Sequence, residues 1–155
     1  MLGRAYVEYF EAANDYFRPF DLLERSGWAR TELEQALEAL RDLLQVVDSA
    51  PSYRLTPHAI QLIESLQISP ADLTARNHRV RNALLRHYGA LAESQGPLAT
   101  EHISVALRAA ERATNAPAPV LESNHEALFR SGYLAHPSSL GYFALSRGGM
   151  AAFRI

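Results

Sequence analysis

The side chains best suited to chemistry are six histidines, His58, His78, His87, His102, His125 and His136, set among seventeen carboxylates. A helical zinc site would place two histidines four apart around a glutamate, and no pair has that spacing. The nearest approach is Glu122-x-x-His125, a carboxylate and an imidazole three residues apart and so on one helix face. A carboxylate-bridged metal centre needs two such motifs and further glutamates, so this pair reads as surface. Glu32 with Glu34, and Glu122 with Glu126, are neighbouring carboxylates on faces expected to be solvated. The chain has no Gly-x-Ser-x-Gly elbow, no Gly-x-Gly-x-x-Gly turn and no phosphate loop, and Gly148-Gly149 reads as a distorted helix start. It has no cysteine, which excludes thiolate chemistry and disulfides. It has no lysine, which excludes Schiff bases and the phosphate-loop lysine. The reading is of a protein that is not an enzyme and carries no cofactor or metal.

All fifteen basic residues are arginines, which reads as codon bias of a GC-rich genome rather than as a functional choice. The densest basic run is Arg76-Asn77-His78-Arg79-Val80-Arg81-Asn82, continuing to Arg86-His87. On a helix from Arg79, the residues Arg79, Asn82 and Arg86 form a polar stripe opposite Val80, Leu84, Tyr88 and Leu91. Residues 1–69 hold six arginines against eleven carboxylates, a net −5, and residues 70–155 hold nine against six, a net +3. The two halves therefore suit different partners: an acidic half is a poor phosphate binder unless its arginines cluster, and a basic stripe suits an anion.

The elements that would position these groups follow from periodicity. Tyr6, Tyr9, Phe10, Ala13 and Phe17 mark one face of a helix over Arg4–Phe17, and a short helix is expected over Phe20–Arg25. Thr31 and Glu34 have capping-box spacing, which predicts a third helix from about Glu32 to Leu44 with Leu33, Ala36, Leu37, Leu40 and Leu44 inward. Gln45–Val47 and Tyr53–Leu55 read as strands flanking a polar tip, and Thr56-Pro57 reads as a hydroxyl cap followed by proline at the first helical position. Residues 69–78 read as a partly helical connector, with Ser69-Pro70 as another capped helix start. The remainder is expected to form a helix over Arg79–Ser94, a helix capped by Thr100, a helix over Val120–Arg130, a loop over Ala135–Gly141, a strand over Tyr142–Leu145 and a short helix opened by Ser146. An echo links the halves: Tyr-Arg-Leu-Thr-Pro at 53–57 returns as Phe-Ala-Leu-Ser-Arg at 143–147. It points to one small module used twice, over residues 1–68 and, more loosely, 79–155, with a single module followed by a helical extension as the alternative.

Helix, helix, turn, helix, hairpin, helix is the element order of a winged helix-turn-helix module. Leu37-Glu38-Ala39-Leu40, followed by a tip and Tyr53-Arg54-Leu55-Thr56-Pro57, resembles the third helix, wing and fourth-helix start of PadR- and MarR-type regulators over about residues 4–67. The resemblance implies a mainly α fold with small β-hairpin wings, as a tandem winged helix-turn-helix, and a DNA-binding transcriptional regulator acting as a dimer. Arg30, Gln35, Arg41 and Arg54 of the first module, and Arg79, Arg81 and Arg86 beyond it, are then the candidate DNA contacts. The tandem arrangement is also similar to kite proteins, which use such modules to bind protein parts of chromosome-organising complexes. The acidic third helix, presenting Gln35, Glu38, Ala39 and Asp42, fits that alternative better. Tyr6, Tyr9, Phe10 and Phe17 are candidate partner or dimer contacts, since they exceed what one small core needs. No apolar run reaches the length of a membrane span and the N-terminus lacks a signal-peptide layout, so a cytoplasmic protein with no membrane contact is expected.

Overall fold

The computed structural model describes residues 1–12, 16–22, 27–47, 52–137 and 140–153. The chain divides into two compact units, Met1–Ala71 and Asp72–Ile155.

The first unit opens with α1, Leu2–Glu11, whose aromatic stripe buries Ala5, Tyr6, Tyr9 and Phe10. The helix is shorter than the aromatic spacing predicts. Phe17 does not extend it; its backbone pairs with Tyr53 through two bonds, of 2.6 and 2.9 Å. The residue before a proline is steered out of the helical region, and Arg18-Pro19 applies that constraint beside Phe17. Ala13 lies outside the described residues. A 3-10 turn, Pro19–Leu22, stands where a short helix over Phe20–Arg25 is expected, and residues 23–25 also lie outside.

Next comes α2, Arg30–Ala39. Its cap is set two residues earlier than Thr31 and Glu34 suggest and is one-sided: the Glu32 carboxylate accepts from the Ala29 N–H at 2.8 Å, while the Ala29 methyl can return no bond. The helix ends at Ala39, well before Leu44, because Leu44 is committed to a hairpin. Strands β1, Leu44–Val47, and β2, Ser52–Leu55, pair antiparallel with Leu44 opposite Leu55, and both leucines are buried. Most of the polar tip, residues 48–51, is outside the described residues. Thr56 then caps α3, Pro57–Ser65, accepting from the Ala59 N–H at 3.2 Å, and α3 buries Ala59, Ile60 and Ile63.

In the second unit α4 runs unbroken from Ala71 to Gln95. The segment read as a connector is thus helical from Ala71 onward. Leu73 and Asn77 carry the buried stripe of Val80, Leu84, Tyr88 and Ala92 two turns further back, and the polar Asn77 hid that continuation. Thr100 caps no helix; it opens β3, Thr100–His102, and His102 takes the capping role by accepting from the Ser104 N–H at 3.3 Å. Helix α5, Ile103–Thr114, closes on Asn115 at φ 54°, a left-handed cap that asparagine tolerates. Then follow α6, Ala118–Arg130, β4, Leu134–Ala135, β5, Tyr142–Leu145, and α7, Arg147–Phe153. The sheet order is β3-β5-β4, all antiparallel. Its core is built on Val80, Leu84, Tyr88, Val120, Leu128 and Leu145.

The described chain is thus mainly helical with two small antiparallel sheets. The sequence echo has a physical counterpart. Leu44 faces Leu55 in one hairpin as Leu134 faces Leu145 in the other. In each unit a third segment joins the far side of the second hairpin strand, Phe17 opposite Tyr53 and Glu101 opposite Phe143. Each second strand ends in a hydroxyl residue that acts as a clasp. The N–H and hydroxyl of Thr56 both donate to the Leu43 carbonyl, at 3.0 and 3.2 Å. The Ser146 N–H donates to Tyr133 at 3.0 Å, its hydroxyl donates to the Gly132 carbonyl, and it accepts from the Gly149 N–H at 3.0 Å.

Candidate interaction surfaces

The outer face of α2 is charged, and its charges are spent on one another. Arg30 pairs with Glu34 at 3.0 Å and lies 5.4 Å above the Phe20 ring. Arg41 pairs with Glu38 at 3.1 Å, with Asp42 at 3.9 Å. Gln35 is exposed between these pairs. Over Arg30–Asp42 two arginines face four carboxylates, so the surface is net negative. Arg54 is half-buried and reaches across the hairpin to donate to the Gln45 side chain at 2.9 Å. The four candidate DNA contacts of this unit therefore stand near one another in sequence, with the three arginines already engaged. Helix α6 has a similar character: its exposed and half-buried outward positions include Glu122 and Glu126.

On α4 the predicted stripe exists, with Arg79, Asn82 and Arg86 all exposed. Neither Arg79 nor Arg86 has a carboxylate partner among the described residues. Two helical turns separate them, about 10 Å along the axis. Arg81 lies off the stripe and is half-buried. The aromatic candidates sit differently from expectation: Tyr6, Tyr9 and Phe10 are 0–2% exposed, Tyr6 donating to the Glu64 carboxylate at 2.6 Å, and Phe17 is half-buried. They are occupied as core, which leaves Tyr16, at 41%, as the exposed aromatic of this stretch.

Sequence reasoning missed a buried polar network in the second unit. His125 was expected on the surface with Glu122, yet it is 1% exposed while Glu122 faces solvent. The three-residue offset puts the glutamate at the edge of the α6 face that carries His125 into the core. The imidazole Nε2 lies 2.9 Å from the Tyr88 hydroxyl, and the Phe143 ring stands edge-on at 4.6 Å. Burial pushes His125 down to about 4, because the charged form loses its water. Burial, and secondarily the Glu101 charge, raises Tyr88. Beside them Asn124 donates to the Asn77 side chain at 2.9 Å and to the Val120 carbonyl at 2.7 Å, and His87 pairs with Glu101. The fully buried Tyr88 on the α4 stripe was the one sequence signal, since a buried phenol needs a partner. Among the described residues no three histidines, aspartates or glutamates gather as metal ligands.

The same unit carries a groove of about 570 Å³, open to solvent and almost wholly apolar. Ala144 and Leu145 of β5 and Ala135 of β4 lie along it, with the Pro97-Leu98 turn and α7 residues Arg147 and Met150. No helix among the described residues is long and apolar enough to cross a membrane. Compared with known proteins, the chain matches no family, no curated protein and no solved structure.

Proposed function

We propose that the chain is a tandem winged-helix protein whose role is to bind another protein, as kite-type subunits do, without gripping DNA strongly. The observation that carries this reading is the face of α2. In a DNA-reading winged helix this face enters the major groove, where arginines must meet phosphates and base edges. Here Arg30 and Arg41 are held by Glu34 and Glu38, and the surplus carboxylates would face phosphate. The equivalent helix of the second unit, α6, presents Glu122 and Glu126. The tandem winged-helix assignment is supported by the repeated leucine pair, the repeated third segment beside the second hairpin strand and the repeated hydroxyl clasp.

A second reading, a DNA-binding regulator, is favoured by the exposed Arg79–Asn82–Arg86 stripe. Fluorescence anisotropy against mixed-sequence duplex DNA between 50 and 200 mM salt separates the two. Two phosphate contacts from that stripe give a log–log salt slope of about −2, and a fully engaged winged-helix surface gives about −5 or steeper. The protein-binding reading expects a slope no steeper than about −2 and micromolar or weaker affinity. A slope of about −5 or steeper would overturn it in favour of the regulator, and flattening of that slope by about 2 in Arg79→Glu with Arg86→Glu would assign two of the contacts to the stripe.

A further inference from the structure

The groove beside β5 is an apolar concavity of the second unit, and it lies away from the arginine stripe in sequence. Three features of it point the same way. Its lining is nearly all carbon, with Ala135 and Ala144 keeping it open because their side chains are short. Leu98, which is 87% exposed, stands on its wall and adds apolar surface that an occupant would cover. Among the described residues that line it, Arg147 is the one ionisable side chain, and it is exposed and pairs with no carboxylate among them. An occupant must therefore bring apolar bulk together with negative charge. A small amphiphilic acid answers the charge, yet small ligands are held where most of their surface is enclosed. This groove is only partly enclosed, which suits a segment that runs along it and past Leu98.

We propose that this groove docks an acidic amphipathic segment of a protein partner, with leucine-sized anchors filling the space over Ala135 and Ala144 and a carboxylate pairing with Arg147. The inference deepens the protein-binding reading and rests on it. Apolar anchors three or four residues apart match a helix laid into a groove, and a guanidinium at the edge fixes its direction through a charge-assisted, two-pronged bond. The acidic residues also suit the net +3 of this unit.

The test pans a phage-displayed library of random 16-residue peptides on the intact chain and measures the enriched peptides by anisotropy. Leu98→Asp and Arg147→Glu serve as variants, because both positions are exposed and the fold does not depend on them. Enriched peptides are expected to combine two or more Leu, Ile, Phe or Met at helical spacing with Asp or Glu within a turn. Each variant should weaken them about tenfold or more. Reversing the peptide carboxylate to Lys should restore binding to Arg147→Glu while abolishing it on the natural chain. Three results would overturn the proposal: no enrichment above a blank surface, enrichment of basic or anchor-free peptides, or affinities unmoved by both variants. If decanoate displaced the peptides and bound more tightly than any of them, the groove would be a small-molecule site and the proposal would fall. Failure here leaves protein binding through another face intact, whereas a steep DNA salt slope removes the underlying reading, so the two failures are distinguishable.

Discussion

Acidification from pH 7 to pH 4 should destabilise the second unit through a single side chain, His125. The imidazole is 1% exposed, bonded to Tyr88 and enclosed by Phe143, and burial holds it at about 4 in the fold. In the unfolded chain it titrates at its ordinary value of 6.5. Between those values the unfolded state binds a proton that the folded state refuses, so stability rises with pH in that window and is lost as pH falls through it. The gap of about two and a half pH units, at about 1.4 kcal/mol each, integrates to about 3 kcal/mol by pH 4. That is a large share of the stability of a domain this size. The assay is a urea titration at several pH values between 7 and 4, read from backbone amide resonances of α4 and α6, with His125→Gln measured in parallel. Carboxylate titration is common to both proteins, so their difference isolates the imidazole. Trp28, the single tryptophan, belongs to the first unit, and its fluorescence gives an internal control that does not follow the difference. The variant should be less stable at neutral pH and flatter toward acid, the difference shrinking by about 3 kcal/mol. Parallel curves within about 0.5 kcal/mol, or a His125 resonance titrating near 6.5, would refute the reasoning.

Three further substitutions probe the hydroxyl clasps and the helix start beside Ser146. Thr56→Ala removes the cap on Ala59 and the bond to the Leu43 carbonyl, and should cost the first unit about 1–2 kcal/mol, seen as a lower midpoint in Trp28-monitored unfolding. Gly149→Ala would place a Cβ 2.1 Å from the Tyr133 carbonyl oxygen and should displace α7 from β5. Its cost to the second unit should be about 2 kcal/mol or more. Gly148→Ala meets nothing closer than 3.4 Å, so it should be tolerated in the same melting experiment.

How far these features were legible in the sequence depends on whether they were local. The Thr56-Pro57 helix start, the strand over Tyr142–Leu145 and the Ser146 cap are written in consecutive residues, and they stand where the residue types place them. Register could not be read that way. Leu44 satisfies a helical stripe and a strand position equally, and only its pairing with Leu55 decides between them. Phe17 was drawn into α1 by aromatic spacing, while its place depends on Tyr53, thirty-six residues later. Thr100 resembled a cap because nothing nearby announces a three-residue strand whose partner is Ala144. The interaction surfaces divided along the same line. The α4 stripe follows from one helix period, whereas the pairing of Arg54 with Gln45 and the burial of His125 depend on contacts between elements. The groove is less accessible still, since Leu98, Ala135, Ala144 and Arg147 share no motif and meet only through the hairpin.

The repeated clasp also sets how each unit would behave under load. Because one hydroxyl residue fastens the second hairpin strand, the segment before the first and the helix that follows, a pull on the hairpin is carried directly into that helix. A partner seated beside β5 and α7 would thus hold a rigid bracket, and tension along an assembly would pass through Ser146 before any flexible turn could absorb it.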